Sequence, residues 1–411
     1  MHAYDVVVVG GGPAGMMAAG RAAARGRRVV LLEKNLTLGK KLLLTGGGRC
    51  NVTNRALESR AALATYKDAG KFLAGTFARW SVADTIEFFR VRGMPMKEEA
   101  GGRMFPVSDT STSVLHVLDA YMREVGVEVR TGVEVTRVMC DGTGVVITGA
   151  GDIKLHARIC VVATGGVSRT DTGSTGDGFR WLAELGHTII APHMALVPIA
   201  LKDAWVRDAA GVVLSSIRLT TYADGVRQKT YSGNMLCTHE GVSGPVILNM
   251  SRDVGVLLKQ TSDVVMRLDL FPHLDHGALR AVIQNLLVTH GNKKIKNVLD
   301  TVVPPAFVAP LLAAVHIDGE TYCHSVRSEE RTALIHTMKS IPLHVSHLLG
   351  EDKAVVSSGG VSLTEVDFKT MQSLIVPQLY LAGDVLNIDR PSGGYSLQLC
   401  WTTGHVAGDN C

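Results

Sequence analysis

Uninterrupted apolar runs mark the first predicted strands of this chain. Residues 6–9, 29–32 and 159–163 are such runs, which are typical of parallel strands buried on both faces of a sheet. Residues 60–126 have a mostly helical pattern. Residues 127–157 alternate apolar and polar positions in four short segments, and this alternation predicts a meander of strands linked by hairpins.

The pattern changes after about residue 192 and changes back near residue 348. In between we predict strands at 197–201, 217–222 and 227–231, a turn-rich connection at 236–248, and helices at 279–290 and 305–315. A short apolar strand at 378–382 then resumes the first type of pattern. The chain therefore predicts an α/β domain made of residues 1–191 and 348–411, interrupted by an inserted domain at 192–347.

A glycine-rich turn follows the first apolar run. Gly10, Gly12 and Gly15 form a G-x-G-x-x-G pattern between that strand and a helical segment. These glycines permit a tight turn, close approach of the backbone to a diphosphate, and close packing of the helix on the strand. Glu33 ends the second run, eighteen residues after Gly15, where a carboxylate accepts hydrogen bonds from the hydroxyl groups of an adenosine ribose. Together these features predict a dinucleotide site, although glycines alone would also fit an ordinary loop.

Two further segments carry groups suited to a charged, extended cofactor. Lys41 and Arg49 flank a run of three glycines in a loop whose N–H groups are free for an anion. Near the end of the chain, a predicted strand ends in Asp384, and residues 391–398 open a last helix. A carboxylate at that place suits the polyol of a flavin, and the helix N–H groups suit its ring system.

Composition narrows the class of protein. The 411 residues exceed what one hydrophobic core usually holds, and 46% hydrophobic residues suit a well-buried globular protein. The 42 basic and 38 acidic residues leave a net charge of +4, so charge gives no reason to expect a nucleic acid partner. No apolar run reaches membrane-spanning length, and no signal peptide fits the first residues. Seven scattered cysteines have no metal-ligand spacing. We expect a reduced, cytoplasmic protein with no metal and no membrane partner.

Five spaced motifs resemble one family. They stand in one order along nearly the whole chain: GGGRCN at 46–51, TGSTGDG at 172–178, THEGVSGP at 238–245, GGV at 359–361 and GGY at 393–395. With the opening turn, they resemble bacterial NAD(P)/FAD-dependent oxidoreductases of the glutathione-reductase-like superfamily, a family that includes aminoacetone oxidases and 3-dehydro-bile-acid reductases. The resemblance implies a Rossmann-type FAD domain, with non-covalent FAD, interrupted by a β-barrel-like insert that carries helices.

The resemblance also implies which residues bind the cofactor. It places the ribose on Glu33, the diphosphate on the glycine turn and Arg49, the adenine near Val135, and the flavin near Asp384 and residues 394–397. The implied cofactor-binding set is Gly10, Gly12, Pro13, Ala14, Gly15, Glu33, Lys34, Lys41, Gly48, Arg49, Cys50, Asn51, Val135, Thr164, Gly165, Gly383, Asp384, Gly394, Tyr395, Ser396 and Leu397.

Two positions depart from the family pattern. The last strand of the family ends Gly-Glu, and its last helix opens Gly-Gly-Tyr-Asn, whereas this chain has Asp384 and Ser396. Aspartate keeps the charge but shortens the reach by a methylene group, and serine lacks the amide near the ring. These differences bear on the choice of substrate and not on FAD binding.

The residues also limit the flavin chemistry. Cys50 has no second cysteine a few residues away, which disfavours a dithiol–disulfide reductase, so Cys50 is either a packing residue or a thiol near the ring. A second G-x-G-x-x-G is missing from the sequence, so the hydride would come either from NAD(P)H that docks transiently or from the substrate. A flavin protein that modifies nucleic acid, or that has no catalytic role, is an alternative from another class. The near-neutral charge opposes the first of these, and the loop at 238–245 opposes the second.

Two residues are catalytic candidates, His239 for acid–base work and Tyr395 for a position over the flavin. His239 lies on a loop bordered by glycines, and Tyr395 precedes the last helix. His239 would otherwise order its loop, and Tyr395 would otherwise pack the helix. Arg169 and Arg390 suit an acidic substrate but are more simply explained as exposed surface residues.

We therefore predict an FAD-dependent oxidoreductase acting on a small organic substrate. It would transfer two electrons through flavin N5 from NAD(P)H to an acceptor such as an activated C=C bond. A flavin amine oxidase that uses oxygen is the alternative, because both branches share the motifs. The sequence does not predict the oligomeric state.

Overall fold

The computed structural model of the chain describes residues 3–151, 153–350 and 356–411. Its contacts divide the chain into two compact units. One comprises Met1–Met194 and Ala354–Cys411, and the other is Ala195–Lys353. The predicted return to the first domain includes residues 351–355, which lie outside the described residues.

Strands and helices alternate through the first segment of the chain. Its elements are β1 (Tyr4–Val9), α1 (Pro13–Ala24), β2 (Val29–Glu33), β3 (Thr53–Asn54), α2 (Gly70–Phe77), α3 (Val82–Val91), β4 (Met96–Glu99), β5 (Arg103–Pro106), α4 (Ser111–Glu124), β6 (Glu128–Thr131), β7 (Val135–Asp141), β8 (Gly144–Gly149), β9 (Ile153–Val162), α5 (Asp177–Glu184) and β10 (Ile189–Ala195). Pro13 occupies the first helical position of α1, where its missing N–H is not needed.

The second segment of the chain forms the second unit and mixes strands and helices. The third segment, at the end of the chain, belongs to the first unit. The second segment has β11 (Ile199–Leu201), α6 (Trp205–Asp208), β12 (Val213–Ala223), β13 (Val226–Thr238), β14 (Gly241–Ser243), α7 (Pro245–Leu258), β15 (Val264–Asp269), α8 (His276–Thr289), α9 (Lys296–Leu299), α10 (Pro305–Ala314), α11 (Ser328–Lys339) and β16 (Ile341–Leu348). The third has β17 (Val356–Val361), β18 (Leu379–Leu381) and α12 (Tyr395–Asn410).

The first unit is built on a seven-stranded sheet. Its order is β6-β2-β1-β9-β8-β7, and β18 pairs with β9. β6, β2, β1, β9 and β18 run parallel to their neighbours, whereas β7, β8 and β9 form an antiparallel meander. Val6, Val7 and Val8 of β1 have no exposed surface. Their continuous burial agrees with the uninterrupted apolar run, because a central parallel strand is covered on both faces.

The second unit contains a closed antiparallel barrel. Its strand order is β11-β14-β13-β12-β15-β16, and β16 pairs with β11 to close it. Alternate residues such as Leu219, Met266 and Leu343 are fully buried, as expected for the inner positions of a small barrel. The prediction of an α/β fold with a barrel-like insert that carries helices is thus confirmed.

Three local predictions are wrong. Residues 128–131 were expected in the meander but form β6, a partly exposed edge strand parallel to β2. The segments at 153–157 and 159–163 are largely one strand, β9. Residues 236–248 are not a loose connection: they end β13, form β14 and begin α7. Gly241 closes one tight hairpin turn, in which it pairs with Thr238, and Gly244 is the N-cap of α7.

A membrane-spanning helix is not found in the described part of the chain. Each of its helices is too short or too polar to cross a bilayer.

Candidate functional site

The carboxyl ends of four parallel strands meet at one edge of the main sheet. In the register of these strands, Val9 is level with both Leu32 and Val162, and Leu381 is level with Val162. The segments that follow these residues therefore leave the sheet at the same edge. In open α/β sheets this edge, where the strand order reverses, is where ligands bind.

The turn from β1 into α1 leaves room for a ligand. Gly12 is the N-cap of α1 and provides no side-chain cap, so the first N–H groups of the helix lack a protein acceptor there. A Cβ atom built on Gly12 would meet nothing within 4 Å, whereas one on Gly15 would lie 1.9 Å from the carbonyl oxygen of Gly10. The first helical turn is thus open on one side and tightly packed on the other, which suits a diphosphate at a helix N-terminus.

Glu33 is a buried carboxylate at the end of β2, with 8% of its surface exposed. Its Oε2 accepts a hydrogen bond from the backbone N–H of Gly11 at 2.7 Å. Its Oε1 accepts from the backbone and side-chain nitrogens of Asn35 at 2.8 and 2.6 Å. A carboxylate has about four acceptor positions, so an oriented Glu33 retains acceptor capacity for a ribose hydroxyl.

α12 packs in parallel along α1. A Cβ atom on Gly404 would lie 2.4 Å from the carbonyl oxygen of Ala14, and one on Gly408 would lie 2.4 Å from that of Ala18. Gly394, the N-cap of α12, precedes Gly404 by ten residues. At 1.5 Å per residue, α12 therefore begins about 15 Å beyond the level of Ala14. Two helix N-termini are thus offset along one line, as a long cofactor with a diphosphate and a distant ring requires.

The loop before β3 is tied to the start of α12. The Trp401 indole N–H donates to the carbonyl oxygen of Val52 at 2.9 Å, and the Thr53 hydroxyl donates to Gln398 at 2.6 Å. The Asn54 amide donates to the carbonyl oxygen of Gly393 at 2.9 Å. Residues far apart in the chain are therefore held as one wall of the site.

Two buried side-chain atoms in the predicted cofactor set lack partners. Asn51 Oδ1 and Thr164 Oγ1 are inaccessible to solvent and have no hydrogen-bond partner among the described residues. Unpaired buried polar atoms are uncommon because each costs about 1–3 kcal/mol. Both lie in segments expected to contact the cofactor, so a bound cofactor would explain them.

A buried ion pair lies in the segment that leads into α12. The Arg390 side chain is 1% exposed and pairs with Asp384, which is 15% exposed. Arg390 also donates to Ser396 Oγ at 2.9 Å and to the carbonyl oxygen of Ile388 at 2.6 Å. The expectation that Arg390 is an exposed surface arginine is wrong, because only 7% of the residue is exposed and three neighbouring oxygens hold its guanidinium in place. Arg169 is partly exposed and pairs with Asp171.

Lys41 is a second cation of this region and is partly buried. Its Nζ donates to the hydroxyl oxygen of Ser168 at 3.3 Å. Burial lowers the pKa of the Lys41 ammonium group, and the nearby carboxylate of Asp384 opposes that shift. Positive charge from Lys41 and Arg390 therefore accumulates beside a helix N-terminus, where it would favour an electron-rich ligand.

Two predicted cofactor contacts are engaged with protein groups. Arg49 pairs with Glu99, and its Nε donates to Asp109 at 2.9 Å. Lys34 pairs with Asp177 at 3.0 Å. Their contacts with the cofactor remain predictions that would compete with these ion pairs.

Cys50 is fully buried and free, and burial raises the pKa of its thiol to about 12. A protonated, inaccessible thiol is a weak nucleophile. The structure therefore favours the packing role for Cys50 over that of a reactive thiol.

The two catalytic candidates lie in different units. Tyr395, in the first unit, is half-buried, and its ring packs edge-on against that of Tyr66 at 5.9 Å between centroids. Burial raises the pKa of Tyr395. His239 is exposed at the tip of the two-residue hairpin turn between β13 and β14 in the second unit.

The remaining predicted residues lie on the same segments of the first unit. Val135 begins β7 and Leu397 lies in the first turn of α12, and both are buried. Gly48 ends the glycine run, and Gly165 and Gly383 follow β9 and β18. Sequence reasoning missed Asn35, Ser168 and Gln398, which orient Glu33, Lys41 and the β3 loop. Of these three, only Asn35 could have been predicted from the sequence, because it lies two residues after Glu33.

These features fit FAD. The α1 turn suits the diphosphate and Glu33 suits the ribose. The offset N-terminus of α12, with the cations beside it, suits the flavin ring. No other group is needed to account for the two unpaired buried atoms.

Curated proteins are similar to this chain over nearly its whole length. The chain is 30% identical to a 3-dehydro-bile acid delta(4,6)-reductase of Clostridium scindens, over 93% of this chain and 92% of that protein. It is 28% identical to a ribosomal RNA dihydrouridine synthase of Escherichia coli, over 98% and 96%. A Haemophilus influenzae protein of the same name is 25% identical, over 97% and 96%.

Solved structures share the fold. A 3-ketosteroid delta1-dehydrogenase from Sterolibacterium denitrificans has a TM-score of 0.57 at 12% identity, covering 98% of both chains. A 3-ketosteroid-delta4-(5alpha)-dehydrogenase from Rhodococcus jostii has a TM-score of 0.54 at 15% identity, covering 99% of this chain and 96% of the other. The family model described as the HI0933-like protein Rossmann domain matches residues 4–410. The predicted membership of an FAD-binding Rossmann family is confirmed, and the chain belongs to the HI0933-like family.

Proposed function

We propose that this FAD-dependent oxidoreductase reduces a C=C bond conjugated to a carbonyl group in a small organic acceptor, with NAD(P)H as electron donor. The observation that carries the proposal is the full-length similarity to a protein named as a delta(4,6)-reductase. The reaction consumes NAD(P)H, a proton and the unsaturated acceptor, and yields NAD(P)⁺ and the saturated acceptor. The donor supplies the hydride, and a protein group or water supplies the proton.

FAD, when bound, supplies the two-electron chemistry through N5. The protein's contribution is position and charge. Arg390, Lys41 and the open N–H groups of α12 provide fixed positive charge that favours extra electrons on a ring held beside them. Asp384 balances part of that charge and keeps Arg390 in place.

Tyr395 is our candidate proton donor. Burial raises its pKa, so its hydroxyl is protonated at neutral pH. Among the described residues that hydroxyl has no hydrogen-bond partner, and the bond that Tyr66 donates to Tyr395 goes to the backbone oxygen. A protonated, uncommitted hydroxyl beside the helix that would face the ring meets the requirements of a general acid. His239 is the alternative donor.

Anaerobic stopped-flow mixing tests the proposal. NADH or NADPH should bleach the flavin absorbance, and a cyclic enone should restore it. Tyr395→Phe should slow the second step and leave the first unchanged, whereas Tyr322→Phe, a matched change at an exposed tyrosine, should alter neither. If neither nucleotide bleaches the flavin while a primary amine does, the oxidase alternative replaces this proposal.

A uracil ring within an RNA is a second candidate acceptor. Its C=C bond is also conjugated to a carbonyl group, and saturating it gives dihydrouracil. Two relatives are named ribosomal RNA dihydrouridine synthases. A basic cavity in the second unit favours this candidate.

A further inference from the structure

A cavity of about 560 Å³ lies on the outer side of the barrel. Three neighbouring strands, β13, β12 and β15, form its floor, and residues from the ends of α8 and α11 form its walls. Its volume is within the range of small-molecule sites. Its lining is dominated by charged and polar side chains, however, and so it does not suit an apolar acceptor.

The charges around the cavity are unbalanced. Four cationic side chains line it against one carboxylate, that of Asp269. Lys339 already pairs with Asp269 at 2.7 Å, and both side chains are nearly buried. Three exposed cations then remain: Arg218, Arg227 and Arg267.

None of these three arginines has an ion pair within the described residues. Arg218 donates to the carbonyl oxygen of Pro272 at 3.3 Å, and Arg267 donates to Ser340 Oγ at 3.3 Å. Arg227 donates to Thr230 Oγ1 at 3.4 Å. All three contacts are long and neutral, so each guanidinium keeps donors for an anion.

The strand register brings two of these like charges together. Arg218 is opposite Asp269, and Thr220 is opposite Arg267, so the two arginines are diagonal neighbours on one face of the sheet. Side chains at diagonal positions are within reach of each other, so the two positive charges can act on the same anion. Asp269 faces Lys339 and the backbone N–H of Phe271 instead. The Asp269 carboxylate is thus engaged elsewhere, and the two arginines are placed to bind one anion.

Flat rings lie beside the arginines. Tyr222 is partly exposed, and the Arg267 guanidinium lies 5.3 Å from the centre of its ring. The exposed rings of His276 and His336 are 4.8 Å apart at 42°. Sites that bind single-stranded nucleic acid commonly combine arginines that contact the phosphates with aromatic rings on which unpaired bases stack.

We infer that this cavity binds the sugar–phosphate backbone of single-stranded RNA. Arg218, Arg227 and Arg267 contact phosphates, and Tyr222 and the two histidines contact bases. The net charge of +4 for the whole chain hides this local excess. The inference rests on the second candidate acceptor proposed above, and its test measures binding without flavin turnover.

The test is fluorescence anisotropy of a short labelled uridine-containing RNA with the FAD-loaded full chain, over a series of salt concentrations. Arg218→Gln combined with Arg267→Gln should weaken binding on the order of tenfold at about 0.15 M salt, because each single-strand phosphate contact contributes about 0.7 to the slope of log K against log salt. That slope should fall by about 1.4. Arg207→Gln combined with Lys259→Gln removes the same charge from exposed sites of the same unit outside the cavity and should change neither value.

Three results would overturn the inference. They are no RNA binding, equal losses in both variant pairs, or a higher NADPH concentration needed to bleach the flavin of the Arg218/Arg267 variant while its RNA binding stays intact. The last would make the cavity a site for the phosphates of the donor. Ultraviolet cross-linking of RNA to wild-type protein gives an independent measurement. It should label peptides containing Tyr222 and not those containing Tyr322. A failure of NAD(P)H to bleach the flavin would count against the proposed reductase and would leave these binding results readable.

Discussion

Replacing Arg390 by methionine tests the best-defined part of the candidate site. The guanidinium joins three points of the segment that leads into α12: the carboxylate of Asp384, the carbonyl oxygen of Ile388 and the hydroxyl of Ser396. Methionine has a similar length but neither charge nor donors. The change would leave a largely buried carboxylate without its ion-pair partner and two oxygens without a donor.

We expect this single buried substitution to lower the free energy of unfolding substantially. Removing one partner of a buried ion pair costs about 3–5 kcal/mol. Each kcal/mol lowers Tm by about 2–4 °C in domains of 150–250 residues, so Arg390→Met should lower Tm by about 6–20 °C. Adding Asp384→Asn removes the stranded charge and should recover part of the loss.

Circular dichroism and release of flavin fluorescence on heating would measure these effects. FAD should leave Arg390→Met at a lower temperature than wild type, because the same loop carries the ring-facing helix end. Arg90→Met is the matched control, since Arg90 pairs with Glu87 at an exposed site with side-chain exposures of 62% and 55%. It should leave Tm unchanged. A loss in Arg390→Met no larger than the ~1 kcal/mol of an exposed pair, or no recovery in the double variant, would refute the reasoning.

Three further outcomes are expected. Glu33→Ala should weaken FAD retention by about 1.5–3 kcal/mol, the usual value of a hydrogen bond to a charged group, as measured by fluorescence titration of the apoprotein. Burial raises the pKa of Cys50 to about 12, so native protein at neutral pH should resist alkylation there by mass spectrometry, and Cys50→Ser should keep FAD and most turnover. Burial lowers the pKa of His405 from 6.5 to about 4, so the unfolded chain binds this proton more readily. The free energy of unfolding should therefore fall by about 3 kcal/mol as the pH drops from 6.5 to 4; urea titrations should show that His405→Phe loses this part of the pH dependence.

The sequence predicts the parts of the fold that depend on short-range pattern. β1, α1 and β2 were expected because each has its own periodicity and the glycine turn lies between them. The barrel strands were expected from alternation, although the true β13 is longer than its predicted core. Alternation does not distinguish an edge strand of a parallel sheet from a meander strand, and for that reason β6 was misplaced.

The arrangement of the site depends on pairings across hundreds of residues. Gln398 and Trp401 form hydrogen bonds with Thr53 and Val52. A local sequence pattern cannot predict a contact between residues so far apart in the chain. Arg390 lies in a stretch rich in proline, glycine and serine that resembles a surface turn. Its partners Asp384, Ile388 and Ser396 lie within six residues of it, but an irregular segment has no periodicity that shows which side chains are buried, so the sequence alone suggested exposure.

The close packing of α12 on α1 has a consequence for the order of events on the ribosome. The barrel is one continuous stretch of chain. The first unit, in contrast, lacks strand β18 and helix α12 until the barrel residues have been synthesised. Domains generally fold as they emerge during synthesis, so the barrel can close while β1, α1 and β2 still wait for their last partners. Cofactor loading then comes after translation of the insert, and a nascent chain halted before β18 should fold its barrel but hold no flavin.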